Sequence, residues 1–160
     1  MYLRSWIVVA VFAGAIGTGI IGGIFYAFSS FVMPALARLT PERATEAMNS
    51  INVTVITPSF LGVFMGMALL CAALIVGSAL QWGQPGAKLV LAAGLVYLIG
   101  TFGVTMLLNV PLNDELAAVI DPARAVATWP RYLTAWTLWN TVRTAAALGS
   151  SALFTAALRS

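Results

Sequence analysis

Four long apolar runs, separated by polar connections, dominate the chain: roughly Trp6 to Met33, Phe60 to Leu80, Leu89 to Val110 and Leu133 to Leu158. Each is at or above the ~20 residues that a helix needs to cross a bilayer, so the pattern predicts an all-α bundle of four transmembrane helices. Too little sequence remains for a second domain, and the chain reads as a single integral membrane domain over residues 1–160. Two long connections carry a cap, a proline and an arginine: Thr40-Pro41-Glu42-Arg43-Ala44 and Asp121-Pro122-Ala123-Arg124-Ala125. They predict two short interfacial helices. In the first, Ala44, Ala47, Met48 and Ile51 share one side, opposite Glu42, Arg43, Glu46 and Asn49. The shared cap suggests two similar units of helix, surface helix and helix, repeated in parallel with both long loops on one face.

Within the first run, Gly14, Thr18 and Gly22 are four apart, as are Gly19 and Gly23, which predicts close approach of a neighbouring helix. Phe60, Phe64 and Met67 form a face of the second run that reads as packing, with a methionine-based copper site as the weaker alternative. Pro111 is expected to disrupt the third helix, freeing carbonyls at a mouth that holds Asn109, Asn113 and Asp114.

The fourth run departs from the apolar pattern at Trp136-Thr137-Leu138-Trp139-Asn140-Thr141-Val142-Arg143-Thr144. Helical spacing puts Trp136, Asn140 and Arg143 on one face, with Tyr132 above and Ala147 and Ser150 below. An ionisable group there is costly, so Arg143 must face protein, water or a ligand. It lies about ten residues beyond Leu133, roughly 15 Å into the layer. Alternating spans bring Tyr26, Ser29, Ser30, Thr105, Asn109, Asn140 and Arg143 into one half of the bundle. Two readings follow. Arg143 ties the third and fourth helices, pairing with Asp114 or bonding Asn109 and the freed carbonyls; or it lines an aromatic pocket and stabilises an anion on a ligand or intermediate. Trp6, Trp82 and Trp129 fall near span ends as interfacial anchors, whereas Trp136 and Trp139 lie deeper and suit a flat aromatic ligand.

Composition narrows the class. The chain is 61% hydrophobic and 8% charged, with mean hydropathy +0.95, which sets it apart from ordinary soluble domains. The net charge of +3 comes from scattered basic residues, so no nucleic-acid partner is expected. Without histidine, imidazole catalysis and imidazole metal ligation are excluded, and no metal site is expected. Cys71 is the single cysteine, so no intrachain disulfide can form. The first run extends beyond a signal peptide's apolar core of ~7–15 residues and is expected to be retained. Arg4, Lys88 and Arg159 fall on one side with no acid; Arg38, Arg43, Arg124 and Arg131 share the other with Glu42, Glu46, Asp114, Glu115 and Asp121. The acid-free side reads as cytoplasmic, which predicts a bacterial inner-membrane protein with both termini in the cytoplasm.

Four stretches carry a family resemblance: Gly23-Ile24-Phe25-Tyr26-Ala27-Phe28-Ser29-Ser30-Phe31-Val32-Met33-Pro34-Ala35-Leu36, Met48-Asn49-Ser50-Ile51-Asn52-Val53, Asn109-Val110-Pro111-Leu112-Asn113-Asp114, and the Trp136 to Thr144 segment. In this order they resemble the anthrone oxygenase family of small four-helix membrane proteins. The resemblance implies a cofactor-independent oxygenase that turns an anthrone-like polycyclic phenol into a quinone with dioxygen. It implies Arg143 and Asn140 at the oxyanion, Asp114 as base, and Trp136 and Tyr26 as ring walls, with Ser29, Asn109, Asn113 and Trp139 completing the substrate site. The family commonly has histidine where this chain has Thr141, which leaves the base to Asp114 or to the substrate's own ionisation. Expected partners are membrane lipids, a hydrophobic aromatic small molecule, dioxygen and further copies of the chain. The alternatives are a non-enzymatic membrane protein that binds a lipid or quinone, a small subunit of a membrane complex, and, more weakly, a transporter.

Overall fold

The computed structural model describes the backbone of residues 2–160 and the side chains from Ile7 onward, so the side chains of Arg4 and Trp6 lie outside the described residues. All regular structure among the described residues is helical, in five continuous rods. The first runs through α1 (Tyr2–Ala27), a π-helical stretch (Phe28–Val32) and α2 (Met33–Leu36). Next come α3 (Pro41–Thr54) and α4 (Pro58–Leu80). The fourth rod joins α5 (Ala87–Leu95), two π-helical stretches (Val96–Gly103 and Thr105–Asn109) and α6 (Val110–Ala117). The fifth is α7 (Pro122–Ala157).

Three rods are long and apolar enough to cross a membrane: Ile7–Leu36, Pro58–Leu80 and Ala87–Ala117. This is the architecture of a membrane protein. The α7 helix has the length but not the apolarity, because Asn140, Arg143 and a series of threonines and serines dilute it.

Two expectations about the connections are corrected. Pro111 does not break its helix. It sits at the second position of α6, directly after a π-helical stretch, and Pro34 repeats that arrangement in the first rod. Proline lacks an N–H and crowds the carbonyl one turn back, and a widened turn before it gives that carbonyl room. Nor is there a second separate surface helix. Asp121 caps α7 as its sequence predicts, its carboxylate accepting from the Ala123 N–H at 2.9 Å, but the helix then continues for 36 residues through Pro130. The likeness between the two long connections does not extend to the cap bond, because Thr40 stands at the N-cap of α3 without accepting through its side chain, and only α3 is an independent surface helix.

Small residues set the packing of α1 on α7. A Cβ added at Gly14 would lie 3.1 Å from the Phe154 ring, and one at Gly22 would lie 2.7 Å from Leu148. Gly23 faces open space and takes no part. Ser151 bonds the Ala15 carbonyl of α1 at 2.8 Å, and Ser150 bonds the Ala93 carbonyl of α5 at 2.8 Å. The face of α4 is packing, as expected: Phe64 stacks between Phe60 and Phe102 and meets Phe25 edge-on. A second core lies under α3, where Ala44 and Met48 bury against Met33, Leu116, Trp129, Tyr132 and Trp136. That cover explains why Trp129, expected at the interface, is only 4% exposed and stacks on Tyr132. Trp82 is exposed at its span end, where an anchor belongs.

Candidate functional site

The site grows from one face of α7. Tyr132, Trp136, Asn140 and Arg143 recur every three or four residues and are all buried. Each reaches a different neighbour. Asn140 donates through Nδ2 to the Phe25 carbonyl (2.7 Å) and to the Ser29 hydroxyl (2.7 Å). Its Oδ1 accepts from Arg143 Nε at 3.0 Å and Nη2 at 2.8 Å, so one amide ties α1 to α7 and orients the guanidinium. Arg143 Nη1 donates to the Thr105 hydroxyl at 3.2 Å, and the Thr101 hydroxyl donates to the Arg143 carbonyl at 3.2 Å.

Aromatic faces do the rest. The guanidinium carbon stands 3.8 Å from the Phe25 ring centre and 5.0 Å from that of Trp136. Cation–π contact partly offsets the loss of hydration. It does not neutralise the charge. Among the described residues Arg143 has no carboxylate partner; the ion pair formed there is Arg131 with Glu115, on the exposed surface. Three of the five guanidinium N–H groups are engaged and two remain.

Beyond the guanidinium lies a second layer. Asn113 Oδ1 accepts from the Tyr132 hydroxyl (2.9 Å) and from Trp136 Nε1 (2.8 Å). Asn109 donates to the Trp136 carbonyl at 3.2 Å, which leaves its Oδ1 buried and without a partner. Thr137 Oγ1 is likewise buried and unpaired, and so are Thr45 Oγ1, Asn49 Oδ1 and Asn52 Nδ2 on α3. Unspent polar capacity is thus concentrated between α3, α7 and the π-helical stretches.

The structure brings Arg143, Asn140, Trp136, Ser29, Asn109 and Asn113 into one connected set and leaves three expected residues outside it. Asp114 is exposed, because the unbroken helix turns it outward, so the expected pairing with Arg143 does not form. Tyr26 is 59% exposed; Phe25, one position earlier, supplies the wall in its place. Trp139 is half-buried and joins neither the hydrogen bonds nor the ring contacts of the set. Thr141 is exposed on the flank and shares a hydrogen bond with Ser29 at 2.9 Å. Phe25, Phe28 and Thr101 were missed as site residues. Phe28 packs at 5.6 Å on Trp136. The π-helical windings from which Phe28, Ser29, Thr101, Thr105 and Asn109 all project were missed as well.

No curated protein and no solved structure matches the chain. The family model described as anthrone oxygenase matches residues 60–153. That interval includes the Asn109 to Asp114 and Trp136 to Thr144 stretches and excludes those at 23–36 and 48–53. It spans more than half of the sequence, and the chain belongs to the anthrone oxygenase family.

Proposed function

We propose that this member of the anthrone oxygenase family is a cofactor-independent oxygenase of polycyclic phenols, with its site at Arg143. The observation that carries the reading is a buried guanidinium with no carboxylate partner, two free N–H groups and two aromatic faces against it. A cation so placed is complementary to the delocalised oxyanion of an ionised anthrone. In the reaction, the central methylene loses a proton to water, the carbanion adds dioxygen, and the peroxide anion takes a proton back. The resulting hydroperoxide loses water, so that one oxygen atom stays as the quinone carbonyl and the other leaves as water. Arg143 holds the oxyanion, Asn140 fixes Arg143, and Phe25 and Trp136 wall the rings. Asn109 Oδ1 accepts from a hydroxyl of the guest. A tricyclic guest enters past Met33 and Met48, flexible side chains that pack beside Trp136 under α3.

In this reading α7 is a fourth span, its polar face turned inward, and residues 1–160 form one domain. Both termini are cytoplasmic, in a bacterial inner membrane. Asp114 is too exposed to serve as base, so proton loss rests on the acidity the substrate acquires beside the guanidinium. The test is the full chain in detergent, given anthrone and oxygen. Quinone formation faster than autoxidation, abolished by Arg143→Leu, supports the reading; a rate equal to autoxidation overturns it.

A second reading, binding or scaffolding without turnover, is favoured by the absence of any carboxylate from hydrogen-bond reach of Arg143 among the described residues. It predicts a retained quinone or partner subunit in mild detergent, released by Arg143→Leu, with no quinone produced.

A further inference from the structure

A concavity lies at the end of the bundle remote from α3, about 21 Å along α7 from Arg143 at helical rise. It encloses about 770 Å³ between α1, α4, α5 and α7. Val11, Leu74 and Val90 wall its depth, and Gln81, Gln84 and Ser160 stand at its rim. A smaller recess of about 480 Å³, walled by Trp82, Lys88 and Leu89, shares Gln84, Pro85 and Gly86 with it, so the two form one continuous surface. The shape is amphipathic: an apolar cleft that opens onto a cationic rim.

The rim has a definite charge and a definite depth. Lys88 Nζ stands 5.6 Å over the Trp82 ring. A Cβ on Gly86 would lie 2.7 Å from the Ser160 hydroxyl and 3.1 Å from the Ala157 carbonyl, so the end of α7 closes against this loop. All five acidic residues of the chain belong to the opposite end, in α3, α6 and the cap of α7. The loop between Leu80 and Ala87 joins two membrane-crossing rods, which places the rim at the level of lipid headgroups. Cationic side chains at that level attract anionic lipid.

We propose that this cleft binds one anionic glycerophospholipid, with an acyl chain along Val11, Leu74 and Val90 and its phosphate at Lys88. The site is separate from the Arg143 cluster and stands whether or not that cluster turns over a substrate. The test uses the delipidated full chain in detergent, titrated with phosphatidylglycerol or phosphatidylcholine of the same acyl chains, with bound lipid counted by native mass spectrometry. One phosphatidylglycerol per chain is expected, held about tenfold tighter than phosphatidylcholine. Lys88→Glu should erase the preference, and Val90→Trp, which fills the cleft, should release both lipids. Equal affinity for the two lipids overturns the proposal, as does a preference that survives the charge reversal or a chain that dimerises through this face without lipid. If Val90→Trp fails to fold, the charge-reversed variant still decides.

Discussion

The two halves of the bundle spend their polar groups differently. In the half away from α3, each buried hydroxyl bonds a backbone carbonyl: Thr18 to Gly14, Ser78 to Leu74, Ser150 to Ala93. Nothing is left over: the first two bonds fold back within their own helix, and the third fastens α7 to α5. In the other half, side chains bond one another, Asn140 to Arg143 and Ser29, Tyr132 and Trp136 to Asn113, and unpaired atoms remain on Asn109 and Thr137. Buried polar atoms without partners are costly, so their concentration around one unneutralised cation marks a place kept for something else. Polarity alone does not locate a site; unspent polarity does.

The contrast can be broken by mutation. Arg143→Leu should lower anthrone turnover by about 100-fold or more, read as kcat/KM, because the positive charge is what meets the developing oxyanion. In the fastening half, Gly22→Val should cost about 1–3 kcal/mol, read as a lower Tm in detergent, while Gly23→Val leaves Tm unchanged. Asn140→Asp exchanges the N–H groups that hold the Phe25 carbonyl and Ser29 for a carboxylate oxygen and neutralises the guanidinium, so stability should fall by about 1–3 kcal/mol, read as a lower Tm, and oxidation by about tenfold. Ser150→Ala should cost about 0.6 kcal/mol and leave turnover intact. Smallest of all, the coupling between Asp114→Asn and Arg143→Leu in a double-mutant cycle should be zero within about 0.5 kcal/mol.

Much of the site was legible because charge and amides stand out in an apolar helix. Arg143, Asn140 and Trp136 fall on one face by spacing alone, and the need to turn them inward follows from the cost of meeting lipid. Direction was harder where the helix is apolar all round. Around Phe25 and Tyr26 neither periodicity nor chemistry shows which side meets α7, and polarity pointed to the tyrosine where the neighbour is the phenylalanine. The reach of Asp114 was misjudged because proline signals a break, whereas the rod widens and continues. Trp129 was read against water because nothing local reveals that α3 covers it.

Three widened turns carry most of what touches the α7 face, and their winding has a consequence for tolerance to length change. Ordinary α winding through Val96–Gly103 at unchanged length would swing everything beyond it by about 100° around the axis, and only removal of one residue would restore the phase. At unchanged length Asn109 and Asn113 would point away from Trp136, while Ala93 upstream kept its bond from Ser150. The third membrane rod is thus two independently phased pieces, one clocked to the fastening half and one to the guanidinium.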